Sequence, residues 1–244
     1  SDIDTPWGAA IDYRHPVMRR YALESARLWL DDARFDGLRL DATFMIFDDS
    51  PKHVIAELAE LAAGLRPKRT LVAEDERNDP AIVEEKGLDA VWADDFHHEV
   101  HVSLTGEHDG YYAEFGSLDG VAHELTRSEP ERLVVAAQNH DQVGNRATGD
   151  RLPADAHRVA LAIVLFSLST PLLFMGEEHD ERAPFQFFTD HIDPLIADAT
   201  REGRKREFAG FASFAGEEVP DPQALSTFER SRISHREPEP LYAD

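Results

Sequence analysis

Asp36-Gly37-Leu38-Arg39-Leu40-Asp41 is the stretch that decides how this chain is read, a short apolar run closed by a carboxylate. Two more runs are built the same way: Thr70-Leu71-Val72-Ala73-Glu74, and Val134-Val135-Ala136-Ala137-Gln138-Asn139-His140-Asp141. Runs this short and this apolar predict buried strands. Five such strands are expected, at 36–41, 69–74, 88–93, 133–139 and 172–176. Helices are expected between and before them. The first covers 16–33, with Pro16 at its start and Met18, Tyr21, Ala22, Ser25, Leu28 and Trp29 at i/i+3/i+4 spacing. The second opens at Ser50-Pro51, an N-cap followed by Pro at N1, presents Ile55, Leu58, Ala59, Ala62 and Leu65, and ends at Gly64. A third lies near 155–168. Strands alternating with helices predict parallel βα units, and so an α/β fold of the (β/α)8 TIM type. Such a barrel needs eight strands, so one incomplete domain is expected. A polar, His-rich stretch is expected to run to about 120, and the chain beyond 180 reads as loops.

Where parallel strands end at the C-terminal face of a barrel, catalytic groups collect. Three carboxylates arriving there are what glycosidic bond cleavage needs, two flanking the scissile bond and a third to stabilise the oxocarbenium-like charge. A single strand-end carboxylate more often caps the next helix. Three together, in Arg-x-Asp and Asn-His-Asp contexts, favour a site.

Composition narrows the partners. The 244 residues carry 48 Asp+Glu against 25 Lys+Arg, a formal net charge of −23, which repels nucleic acid and anionic membranes. Lys stands only at 52, 68, 86 and 205. That surface fits a high-salt cytoplasm, and equally an ordinary acidic protein from a GC-rich genome. The longest apolar run, near 159–168, is interrupted by His157, Arg158 and Ser167, too short for a membrane span. The chain opens at Ser1 with no charged-then-apolar signal segment, and it has no cysteine, which together favour a cytoplasmic setting.

The same residues resemble the conserved motifs of the α-amylase superfamily: Asp36–Ala42, Ala73-Glu74 and Asn139-His140-Asp141. Within it the chain looks like the maltooligosyltrehalose trehalohydrolase (glycosyltrehalose hydrolase) family. The strings that carry this are Ala73-Glu74-Asp75-Glu76-Arg77-Asn78-Asp79, Ala93-Asp94-Asp95-Phe96-His97-His98, Gln138–Arg146, Pro184–His191 and Gly203-Arg204. The resemblance implies Asp41 as nucleophile, Glu74 as general acid/base and Asp141 as transition-state stabiliser. It further implies retention of configuration and no cofactor, and the residues themselves offer no convincing metal site. The implied substrate is maltooligosyltrehalose, cut at the α-1,4 bond next to the terminal trehalose. Arg39 shares a strand face with Asp41 and can hold it ionised, while Glu74 needs a raised pKa. Asn139 and His140 carry donors suited to sugar hydroxyls. Asp94, Asp95, Phe96, His97, His98, Gln142 and Asn145 are further expected substrate contacts. The family pattern also implies a missing N-terminal β-sandwich, three missing βα units and a missing C-terminal β-domain. The chain then corresponds to about strands 4 to 8, and is expected to have little activity alone. Alternatives are another α-amylase-clan enzyme, such as a branching enzyme or amylase, and a non-catalytic carbohydrate-binding half-barrel, against which the intact triad argues.

Other signals carry competing readings. His97, His98 and His101 with Glu99 suggest a metal site, but the His-Glu-x-x-His order is not met; polar substrate-loop residues are favoured. Tyr111-Tyr112 and Phe185–Phe188 fit either sugar stacking or core packing. Glu177-Glu178 fit substrate contact or a turn cap, with structure favoured. The Gly203–Arg206 cluster reads as a solvated or ion-paired face.

Overall fold

The computed structural model describes residues 3–5, 8–75, 77, 81–208 and 219–234. The chain forms two compact units, one of 1–95 with 127–135 and 168–170, the other of 96–126, 136–167 and 171–244.

The first unit opens on a short antiparallel pair, β1 (Asp4–Thr5) and β2 (Gly8–Ala9). Helix α1 (Pro16–Arg27) is capped by His15, whose ring accepts from Val17 N–H, and runs on into a single π turn at Leu28–Asp32. Its predicted apolar face is not buried as a stripe: Tyr21, Leu28 and Trp29 are exposed, and Ala26 and Leu30 are the interior positions. Next come β3 (Gly37–Leu40), α2 (Val54–Gly64), β4 (Thr70–Glu74), α3 (Ala81–Lys86) and β5 (Ala90–Trp92). With β6 (Leu133–Ala136) and β7 (Thr170–Leu172) they build one sheet in the order β3-β4-β5-β6-β7. The pairs from β3 to β6 are parallel, with Leu40 beside Ala73 and Glu74 beside Trp92. Leu71, Ala73, Val91, Leu133 and Val135 are buried, which is why these runs read as continuously apolar. At Gly37 a Cβ would stand 2.5 Å from Thr70 O, so only glycine lets β3 and β4 start this close.

Helix α2 starts later than Ser50-Pro51. Asp48 accepts from Ser50 N–H and Val54 N–H and pairs with Arg19 at 2.8 Å, which holds 50–53 as a turn. His53 becomes the cap instead, its ring accepting from Ile55 N–H.

Helix α4 (Asp94–Thr105) begins at the boundary of the units, and α5 (Leu118–Leu125), α6 (His140–Gly144), α7 (Ala154–Phe166), α8 (Pro194–Phe208) and α9 (Leu225–Arg230) follow in the second. Two expectations are corrected here. The polar stretch after β5 is helical: Asp94 and Asp95 lie in the first turn of α4, where carboxylates suit the helix dipole, and Phe96, His97, Val100 and His101 are its buried face. The region past 180 holds α8 and α9, with Pro194 opening α8. The last strand is also earlier than 172–176. Glu177 Oε2 accepts from Phe174 N–H at 2.8 Å and Glu178 Oε2 from Gly176 N–H at 2.9 Å, so side chains take the donors a strand would use. No helix among the described residues is long and apolar enough to cross a membrane.

Candidate active site

Two of the three strand-end carboxylates lie in the first unit. Leu40 pairs with Ala73, so Asp41 and Glu74, one residue further on, leave the sheet side by side. Arg39 joins them. Its Nη1 donates to Asp41 Oδ1 at 2.7 Å, and its Nη2 lies 2.6 Å from Glu74 Oε1. The guanidinium carbon sits over the Trp92 ring, 4.6 Å from the centroid, which fixes the plane of the fork. Glu74 Oε2 accepts from Ala42 N–H at 2.8 Å. Ala42 adopts a left-handed conformation, φ 44° and ψ 52°, rare for a residue with a side chain.

Burial is the largest influence on Glu74 and raises its pKa above the ordinary glutamate value. The Ala42 N–H and Arg39 oppose the rise, and a hydrogen bond and charge from Asp41 add to it. The Asp41 side chain is 79% exposed. A half-buried carboxyl with a raised pKa therefore stands beside an exposed one on the same guanidinium. Thr43 Oγ1 reaches Glu74 O at 2.8 Å and Asp75 Oδ2 at 2.9 Å, anchoring the chain just past β4. Buried Asp75 pairs with Arg77 at 2.6 Å; burial pushes its pKa up, but Arg77 and Thr43 prevail and hold it down. Of the motif that follows, Glu76, Asn78 and Asp79 lie outside the described residues.

The third carboxylate belongs to the second unit. Asn139 caps α6: its Oδ1 accepts from Asp141 N–H at 3.0 Å and Gln142 N–H at 2.8 Å. Asn139 is only 2% exposed, so its amide oxygen serves the helix. His140 is exposed, with Nε2 3.1 Å from Asp141 Oδ2. Gln142 is buried and hydrogen-bonded to the His98 ring, and Asn145 is exposed at the end of α6.

Helix α4 changes the standing of the residues expected in a substrate loop. Phe96 and His97 are interior groups; His97 Nδ1 bonds Ala137 O at 2.8 Å and Nε2 bonds Tyr112 Oη at 3.1 Å. Burial, with His101 and His98 nearby, holds His97 well below the usual histidine range, and burial brings His98 down to about 4. Asp94 and Asp95 are half-buried. Among the described residues no three His, Cys, Asp or Glu side chains are placed to hold a metal.

Contacts not anticipated from the sequence complete the second unit. His101 stacks on Tyr112, ring centroids 4.5 Å apart, and its Nε2 lies 2.9 Å from Glu107, which pairs with Arg146 at 2.8 Å. A pocket of about 780 Å³ lies there, lined by His101, Thr105, Glu107, Arg146 and Asp150 among others, but by none of the expected catalytic carboxylates. Glu177 is buried, taking Gln138 Nε2 at 3.1 Å and lying 3.3 Å from His157 Nε2, a structural role. Tyr112 is interior, and Phe185 packs edge-on against Phe174. No spacing in the sequence links these pairs, which lie up to 39 residues apart.

Known proteins share this arrangement of sequence. No protein-family model matches the chain. The malto-oligosyltrehalose trehalohydrolase of Deinococcus radiodurans is 44% identical over 96% of this chain, and that of Saccharolobus solfataricus 36% over 94%. The chain spans 44% and 45% of those relatives, under half their length. A crystal structure described as a putative α-amylase from Salmonella typhimurium superposes with a TM-score of 0.85 at 40% identity, covering 96% of this chain and 45% of that one. The α-amylase of Geobacillus thermoleovorans shares the fold, with a TM-score of 0.54 at 19% identity over 81% of this chain and 46% of its own. The five-stranded sheet and its helices are thus part of an α-amylase-type (β/α)8 barrel. By sequence and by fold, the chain is a relative, over part of their length, of the malto-oligosyltrehalose trehalohydrolases of the α-amylase family.

Proposed function

We propose that this chain is the fourth-to-eighth βα portion of a retaining glycosidase that releases trehalose from maltooligosyltrehalose. Asp41 attacks the anomeric carbon, Glu74 protonates the leaving oxygen and later activates water, and Asp141 stabilises the positive charge between these steps. The observation that carries this reading is Arg39, one guanidinium joined to both Asp41 and Glu74. Such a bridge favours the ~5–5.5 Å separation of retaining enzymes over the ~6.5–9.5 Å of inverting ones. The raised pKa of Glu74 supports its role as acid. His98, His140, Gln142 and Asn145, with Asp94 and Asp95, are the proposed sugar contacts. Asn139, Phe96 and His97 support them from inside. A place in trehalose biosynthesis in the cytoplasm goes with this reading.

The test is to express the protein encoded by the complete reading frame and supply maltotriosyltrehalose. Trehalose with maltotriose is the expected product pair. Maltose and glucose without trehalose would instead make it an amylase. In the same protein Asp41→Asn should lower turnover at least about 10³-fold while oligosaccharide binding persists; unchanged turnover would sink the assignment.

A further inference from the structure

Helix α6 carries Asp141 and has five residues, His140–Gly144. So short a helix has no stability of its own, and its N-terminal end is held by Asn139. At its other end stands Arg204, from α8. Its Nη2 donates to Gly144 O at 3.2 Å and to Arg146 O at 3.4 Å. Its Nη1 donates to Glu207 at 3.0 Å. Arg204 is 8% exposed, and its guanidinium carbon lies 4.8 Å from the Phe187 ring and 4.6 Å from the Phe208 ring. Of the expected solvated or ion-paired basic face, Arg204 is ion-paired, with Glu207, and is buried, its remaining donors aimed at helix-end carbonyls. A cation at a helix C-terminus is favoured by the dipole, and here it takes orphan carbonyls as well.

We propose that Arg204 is a positioning residue for Asp141, fixing the C-terminal end of α6 so that the carboxylate stands where charge develops. The inference rests on the role given to Asp141 above. Burying a guanidinium is costly unless its donors are used; Nη1 serves Glu207, and Nη2 is spent on the two carbonyls that follow the carboxylate. A carboxylate that shifts by about 1 Å can lose on the order of 10²-fold in rate without losing substrate. The loss should therefore fall on kcat.

Four variants of the complete protein test this: Asp141→Asn, Arg204→Met, Arg204→Lys and Glu207→Gln. Arg204→Met should lower kcat about 10- to 100-fold with KM within about twofold. It should also speed hydrogen exchange of the 141–146 amides more than exchange in α7. Arg204→Lys, which keeps the charge and one bond, should recover part of both. Glu207→Gln leaves the bonds to α6 intact and should leave kcat unchanged. Should Arg204→Met fail to fold, Arg204→Lys decides alone: a kcat lowered severalfold supports the proposal, and one within twofold of the parent overturns it. An Arg204→Met kcat equal to the parent, with Asp141→Asn inactive, overturns the positioning role and leaves the proposed function standing. An Asp141→Asn protein with full turnover would remove the role of Asp141 and this inference with it.

Discussion

Asn139→Ala is the most direct test of how the second unit holds its carboxylate. The amide oxygen of Asn139 satisfies two backbone donors, Asp141 N–H and Gln142 N–H, in a nearly closed environment. Loss of an N-cap costs typically about 1 kcal/mol and up to ~2 where the freed donors stay out of water. For a chain of this size each kcal/mol moves the melting temperature by roughly 2–4 °C. Circular dichroism of the 244-residue chain should therefore show a Tm lower by about 2–8 °C. Asn139→Asp keeps the acceptor and adds charge where the dipole favours it, so its Tm should stay within about 1 °C of the parent. Two results refute the reasoning: no Tm change in the Ala variant, or an Asp variant as unstable as the Ala variant. Either would mean that α6 is held by something other than its cap.

Three further outcomes are expected. Glu74 has a folded pKa above its ordinary value of 4.5, so the folded state binds the proton more tightly. Stability is then present below that ordinary pKa and is lost as pH rises through the folded one; the Tm of Glu74→Gln relative to the parent should climb between pH 4 and pH 7, and a flat difference contradicts the assignment. Ala42→Gly relieves a left-handed backbone at φ 44°, a cost of about 1–2 kcal/mol partly offset by glycine's extra freedom in the unfolded chain. Urea unfolding should show a net gain of about 0.5–1 kcal/mol. Glu177→Ala removes a carboxylate buried against Gln138, Phe174 N–H and His157 and should cost about 3 kcal/mol by the same measurement.

The sheet was legible because its strands are short apolar runs, buried through the middle of the sheet in β5 and β6 and at alternate positions of β4. Arg39, Asp41 and Glu74 could be grouped from sequence for a related reason: side-chain alternation links 39 with 41, and strand ends collect. Helix α4 was hidden by composition. Its buried positions are Phe96, His97, Val100, His101 and Val102, so two of its five core residues are histidines that an apolar count passes over. They are tolerated inside because His97 has both nitrogens bonded and His101 stacks on Tyr112. Helix α8 was hidden by its charge, for Arg204, Lys205 and Arg206 gave no sign which one turns inward. The N-cap at His53 was missed because Ser50-Pro51 carries the stronger local signal, and Asp48 overrides it from outside the helix.

Two different supports thus hold the three carboxylates. Adjacent strands lie about 4.7–4.9 Å apart, and Asp41 and Glu74 follow directly on paired residues of two such strands. That spacing is of the same size as the ~5–5.5 Å that the proposed retaining mechanism asks of its two carboxyls, so the ladder brings the two side chains out as neighbours. Arg39 has only to orient the two groups. Asp141 has no ladder beneath it. It sits in the first turn of a five-residue helix, and its place depends on side chains at both ends of that helix. One of these, Asn139, is local; the other, Arg204, arrives from 60 residues beyond Gly144. A carboxylate on a ladder can be found from a strand pattern alone. One on a short helix can be found from its motif, but what holds it there depends on a distant residue that sequence spacing does not reveal.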